Sequence, residues 1–130
     1  MRLLLDTHVF AWWMLADRRL GSTAREILLS PDHDIAVSAA TFWELEIKRG
    51  LNRAGIDFPR LEDSARREGF EELPFRIVHT RFLQRLPLRH RDPFDRMLIA
   101  QSIAEGRALL TRDRHILAYE GIEGFAPIRV

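Results

Sequence analysis

Arg2-Leu3-Leu4-Leu5-Asp6-Thr7-His8 runs from a cation through an unbroken aliphatic stretch to a carboxylate. Polar and apolar side chains do not alternate along it, so it does not suit a strand with one wet face. It suits a short strand buried on both faces, as in a parallel sheet covered by helices. In open α/β sheets, ligands bind beyond the carboxyl ends of the strands. Asp6 then sits at the mouth of a central strand, where a carboxylate needs a partner and a metal ion is the first candidate. The alternative, that Asp6 or Thr7 only caps the next helix, stays open on this stretch alone.

Downstream of that strand, Val9-Phe10-Ala11-Trp12-Trp13-Met14-Leu15 is apolar nearly all round and predicts a helix enclosed against the sheet. Gly21-Ser22 starts a second helix, with Ser22 as its cap, and Pro31 stops it. Asp34-Ile35-Ala36-Val37-Ser38 is the second strand. Residues 39–49 form a helix capped by Ser38 and closed by Gly50, with Glu44 on the side that returns toward the strand mouths. Residues 52–59, with Gly55 and Pro59, read as a loop, and 61–67 as a charged helix. A third short strand lies around Glu72-Leu73 and is cut by Pro74.

Val78, Phe82 and Leu86 share one face of a helix over 78–86, and 87–91 is a linker. Asp92-Pro93-Phe94-Asp95-Arg96 opens a strong helix with Met97, Leu98, Ile99, Ala100 and Ile103 buried, ended by Gly106. Ala108-Leu109-Leu110-Thr111 is the fourth strand, with Arg112-Asp113-Arg114-His115 at its mouth and a short helix over 116–119. Pro127-Ile128-Arg129-Val130 is an edge strand. Strands alternating with helices predict an α/β sandwich with a central parallel sheet of four to five strands. Right-handed crossovers bring the first strand to its centre, beside the fourth.

The 130 residues suit one domain spanning 1–130. No stretch approaches the roughly 20 apolar residues of a membrane span. The short aliphatic run, interrupted by Asp6 and His8, is not a signal peptide, and cysteine is absent, so no disulfide framework or thiolate metal site is expected. Together these point to a cytoplasmic protein. The net charge of +1 excludes nothing. Of the 20 basic residues only Lys48 is a lysine, an arginine bias that suits phosphate recognition and that GC-rich codons produce equally well.

Four carboxylates fall at junctions on what should be one edge of the sheet: Asp6, Glu44, Asp95 and Asp113. Each has a local explanation, as a helix cap, a first-turn acid favoured by the helix dipole or a solvated charge. Jointly they are more specific. Clustered carboxylates repel, and without a cation at least one should take up a proton. Oxygen-only ligands suit Mg²⁺ or Mn²⁺ rather than Zn²⁺, and such a site chiefly serves phosphoryl chemistry. Thr7 and Thr111 are hydroxyls placed to orient carboxylates or water.

Leu4-Leu5-Asp6-Thr7-His8, the segment 38–44, His90-Arg91-Asp92-Pro93-Phe94-Asp95-Arg96-Met97-Leu98-Ile99-Ala100-Gln101 and Leu110-Thr111-Arg112-Asp113 resemble the PIN-domain ribonucleases. Within them the chain resembles the VapC-type toxins of type II toxin–antitoxin pairs. The likeness covers essentially the whole chain, and Asp-Pro-Phe-Asp-Arg is its most specific motif. The resemblance implies a three-layer α/β/α sandwich, Mg²⁺- or Mn²⁺-dependent cleavage of RNA, a homodimer, and inhibition by a small antitoxin. Carried over by position, the family's acids fall on Asp6, Glu44, Asp95 and Asp113.

On this reading Asp6 and Asp95 are principal metal ligands, with Asp113 direct or through water, and Glu44 completes the site and orients a water. Thr7, Arg96 and Arg112 are substrate-contact candidates, although an ordinary charge pair serves as well for either arginine. His8, His90 and His115 are read as surface or capping residues. Trp12, Trp13, Phe42 and Trp43 could stack bases, but packing in a core or dimer face is the commoner use, and the same surface could receive an antitoxin helix. The alternative from another class is a receiver-type signalling domain that binds Mg²⁺ without catalysis. It needs a lysine near the end of the sheet, and Lys48 lies on a helix elsewhere.

Overall fold

The computed structural model describes residues 1–50 and 58–130. Five strands form one parallel sheet: β1 (Arg2–Leu5), β2 (Asp34–Ser38), β3 (Glu71–Leu73), β4 (Ala108–Thr111) and β5 (Pro127–Arg129), in the order β3-β2-β1-β4-β5. The expected centre is therefore correct: β1 lies between β2 and β4. Leu3, Leu4 and Leu5 are each 0% exposed, which settles the two-faced burial expected of the opening run. Completely burying a leucine contributes about 1.5–3 kcal/mol, so these few residues anchor the sheet.

Alternation along β1 divides the interior into two layers. Leu3 and Leu5 join Ile35, Val37 and Leu110 on one face, with Val9, Phe10, Leu28, Leu45, Leu61 and Ala65 packed above them. Those residues come from α1 (Thr7–Met14), α2 (Ser22–Leu29), α3 (Ala39–Gly50) and α4 (Phe58–Arg67). Leu4, Ala36 and Leu109 turn to the other face, against Leu98, Ile99, Ile116 and Tyr119. The helices there are α5 (Ile77–Leu83), α6 (Pro93–Glu105) and α7 (Arg114–Leu117). The result is the three-layer α/β/α sandwich.

The local rules hold at the junctions that matter. The Ser38 hydroxyl accepts from Ala40 N at 3.0 Å at the start of α3. Asp92 accepts from the backbone N–H groups of Phe94 and Asp95, with Pro93 in the first turn of α6. Gly106 ends α6 in the left-handed conformation (φ +61°) that favours glycine.

Some boundaries move. The residue preceding α2 is Gly21, with no side-chain cap, so Ser22 lies inside the helix instead of capping it. The helix expected over 78–86 ends at Leu83. The loop expected over 52–59 falls mostly on 51–57, outside the described residues, and Pro59 lies in the first turn of α4, where its missing N–H is harmless.

Candidate active site

The chain leaves β1 toward β2 and β3 on one side, then returns to β4 on the other. The strand order therefore reverses between β1 and β4, the place where open α/β sheets form a ligand crevice. The register pairs Leu5 with Leu110, which sets Asp6 beside Thr111. Asp6 N donates to the Leu110 carbonyl at 3.1 Å.

Asp6 is almost fully buried. Its Oδ1 accepts from His8 N at 2.6 Å, capping α1, and its Oδ2 accepts from the Thr111 hydroxyl. The Thr111 oxygen in turn accepts from Asp113 N at 3.0 Å, and Asp113 Oδ1 caps α7 by accepting from His115 N at 2.8 Å. The capping role and the shared site are thus not exclusive: caps fix the carboxylates at the strand mouths. Burial pushes the Asp6 carboxyl above its ordinary range, the Thr111 hydrogen bond and His8 oppose this, and the charge of Asp113 adds to it.

Asp95 comes from the first turn of α6. Its carboxyl is pushed up to about 7, first by burial and then by the charges of Asp92, Asp113 and Asp6, against the lowering contact with His90. Asp95 thus feels the charge of two acids remote in sequence, and Asp6 feels that of one of them.

Glu44 is also buried, and its Oε2 pairs with Lys48 Nζ at 3.0 Å. Its Oε1 is buried and has no hydrogen-bond partner among the described residues. Carboxylates whose ionisation is opposed by burial and by one another's charge are of the chemical type that a hard divalent cation takes. His90, Asp92 and Asp95 also offer ligand atoms within 4.8 Å of one another.

Two of the candidate substrate contacts, Thr7 and Arg96, are engaged by other groups of the protein. Thr7 is buried, and its hydroxyl lies 3.3 Å from that of Thr41, so it joins α1 to α3. Arg96 turns away from the acids: its guanidinium donates to the carbonyls of Pro87 (2.9 Å) and Leu86 (3.3 Å) and to the Tyr119 hydroxyl (2.9 Å). Arg112 is exposed, donates to the Arg19 carbonyl and lies 5.5 Å over the Trp12 ring.

His90, expected as a surface or capping residue, has its Nε2 2.8 Å from Asp95 Oδ2 and its ring stacked on His115 at 4.8 Å. No periodicity marks it; only its position just before the Asp-Pro-Phe-Asp motif could have drawn notice. Trp12, Trp13 and Phe42 pack against the core, as the commoner use of aromatics suggests. Trp43 is instead 62% exposed and meets Phe94 edge-on at 4.8 Å. Ala39, Trp43, Phe75, Leu88, Phe94 and Met97, together with Arg91 and Arg96, line a largely apolar cavity of about 640 Å³. Among the described residues no helix is long and apolar enough to cross a membrane.

Comparison with known proteins follows the same lines. Over 123 residues the chain is 28% identical to Ribonuclease VapC22 of Mycobacterium tuberculosis, covering 89% of this chain and 90% of that protein. Its structure is similar to a chain in VapBC-5 from Mycobacterium tuberculosis, described as a member of the VapBC family of toxin-antitoxin systems. There the TM-score is 0.67 at 25% identity, covering 99% of this chain and 98% of that one. A chain in VapBC2 from Rickettsia felis, bound to a promoter DNA fragment, matches in fold with a TM-score of 0.72 at 16% identity, over 99% and 98% of the two chains. Residues 3–122 match the model of the PIN domain, nearly the whole length, and the chain belongs to the PIN domain family.

Proposed function

We propose that this protein is the toxin of a toxin–antitoxin pair: an endoribonuclease that hydrolyses RNA phosphodiester bonds with a carboxylate-held divalent cation, Mg²⁺ or Mn²⁺. The observation that carries the reading is the linkage of Asp6 and Asp113 through the one Thr111 hydroxyl where the strand order reverses, with the charges of both acids helping to push the Asp95 carboxyl up. Acids so placed lose their ionisation without a cation and keep it with one. The kinship with a protein named as a ribonuclease supports RNA as the substrate.

Asp6 and Asp95 would hold the ion, with Asp113 beside them. Bound there, a divalent cation supplies charge stabilisation to a reacting phosphate and to the leaving oxygen. The chain does the remainder. Thr111 fixes Asp6 through its hydroxyl, and the same oxygen fixes the backbone at Asp113. Glu44 presents a free acceptor oxygen that orients the attacking water. Arg112, exposed next to Thr111, contacts phosphate with the donors not used by Arg19. Hydrolysis then proceeds by in-line displacement, without a covalent enzyme intermediate.

The apolar cavity between α3, the β3–α5 link and α6 suits a docked segment of a small antitoxin, since Trp43, Phe75 and Leu88 are exposed along it. The VapBC structures support such a partner. Membership of the PIN family supports one PIN unit per chain, and the resemblance to VapC-type toxins implies a homodimer.

The test is cleavage of structured RNA by the purified protein with Mn²⁺ or Mg²⁺ and with EDTA. Cleavage that requires the ion and is lost in Asp6→Asn is expected. Wild-type rates from Asp6→Asn, or in EDTA, would overturn the assignment.

A further inference from the structure

We infer that His90 is a positioning residue for the reaction: its imidazole holds the Asp95 carboxylate in the orientation that receives the cation, and linker 87–91 is clamped to keep it there. The inference rests on the function proposed above. His90 Nε2 lies 2.8 Å from Asp95 Oδ2, so the ring engages one of the two oxygens. A stack on His115 at 4.8 Å, with 11° between the planes, fixes the ring itself.

The backbone that carries His90 is neither helix nor strand, yet it is tied down at several points. The Tyr119 hydroxyl donates to the His90 carbonyl at 3.4 Å. Arg96 bridges that same hydroxyl to the Pro87 carbonyl, at 2.9 Å each. Arg89 donates to the Ala118 carbonyl at 2.6 Å.

This is why the arginine next to Asp95 faces away from the substrate side: it clamps the segment that holds Asp95. The clamp has a physical purpose. Asp95 sits among Asp6, Asp92 and Asp113, whose charges repel it. An untethered carboxylate would rotate away from them, and each binding event would have to bring it back. A neighbour that hydrogen-bonds a ligand carboxylate removes that cost, and losing such a neighbour typically weakens metal affinity 10–100-fold. Asp6 is oriented in the same manner by Thr111, so both principal acids carry a dedicated partner.

The experiment is calorimetric titration of the full-length protein with Mn²⁺ alone, without RNA. His90→Ala is expected to weaken Mn²⁺ binding about 10–100-fold. Its melting temperature in EDTA should stay near that of the wild type, and saturating Mn²⁺ should restore most of kcat. His90→Gln, whose amide can still donate to Asp95, should recover part of the affinity. Tyr119→Phe, which frees the linker, should weaken binding in the same direction by less; should His90→Ala not fold, this variant carries the test.

Mn²⁺ binding within twofold of wild type in His90→Ala, or no recovery in His90→Gln, would overturn the inference alone. A wild-type protein that takes up no Mn²⁺ would overturn the proposed function and this inference with it.

Discussion

Replacing Asp95 with Asn should make the metal-free protein more stable while abolishing its activity. In the folded protein the Asp95 carboxyl is raised from 3.8 to about 7. Between those values the native state holds a proton that the unfolded state has released. The contribution of Asp95 to native stability is therefore greatest at low pH, falls as pH rises from about 4 to about 7, and levels off above. The side chain is 14% exposed, so solvent screens it little, and the span of the shift sets a ceiling of about 4 kcal/mol at pH 8. Relaxation around the ionised acid, and the hydrogen bond that either residue can make to His90, reduce the expected gain to about 1–2 kcal/mol. For a chain of this size that is a rise in Tm of about 4–8 °C.

The assay is thermal unfolding of wild type and Asp95→Asn in EDTA at pH 8 and at pH 5. The gain should appear at pH 8 and shrink at pH 5, where the wild-type carboxyl is already protonated. Mn²⁺ should raise the wild-type Tm and leave the variant nearly unmoved, since a ligand at 100 times its Kd stabilises by about 2.7 kcal/mol. A variant less stable than wild type at pH 8, or a difference independent of pH, would refute the electrostatic reasoning.

Thr111→Val removes the hydroxyl that donates to buried Asp6; urea unfolding at pH 8 should show a loss of about 1–3 kcal/mol, and RNA cleavage should fall with it. Arg107 is buried at the opposite end of the sheet, where it donates to the carbonyls of Leu3 (3.4 Å) and Asp34 (3.2 Å) and pairs with Glu71. Arg107→Ala should cost about 2–4 kcal/mol, the half-exposed acids moderating the loss, yet leave kcat per folded molecule unchanged. Arg19 holds the Asp17 carboxyl down to about 2. The stability this acid contributes is present above pH 4 and is lost as pH falls toward 2; Asp17→Asn should flatten that part of the acid-unfolding curve. Leu88→Asp places a charge on the 70%-exposed side chain at the apolar cavity; co-purification of the cognate antitoxin with the variant should be weakened at least tenfold.

The parts of this architecture that sequence reading captured are those written in local chemistry. An aliphatic run without alternation can only be a strand covered on both sides, and Leu3, Leu4 and Leu5 divide between the two layers as a period of two requires. Asp92 with Pro93 is a helix start whatever surrounds it, and this placed Asp95 correctly in the first turn of α6. Once β1 is central, Asp6 and Asp113 follow at its mouth and its neighbour's.

What sequence could not supply is the choice of partners across space. Arg96 was expected near phosphate because it adjoins Asp95, but adjacent helical residues point about 100° apart, and its guanidinium reaches Leu86, Pro87 and Tyr119 instead. Thr7 adjoins Asp6 but turns inward to Thr41, whereas Thr111, 105 positions from Asp6, is the hydroxyl that orients it. His90 lies in a linker without periodicity, so nothing in the residues around it reports that its ring meets Asp95.

The most direct measurement is the anomalous difference density of crystals of the full-length protein soaked in MnCl₂. A manganese peak coordinated by Asp6 and Asp95, with Asp113 beside it, is the expected result. Crystals that take up manganese elsewhere, with Asp6 and Asp95 free of it, would contradict a cation-assisted nuclease.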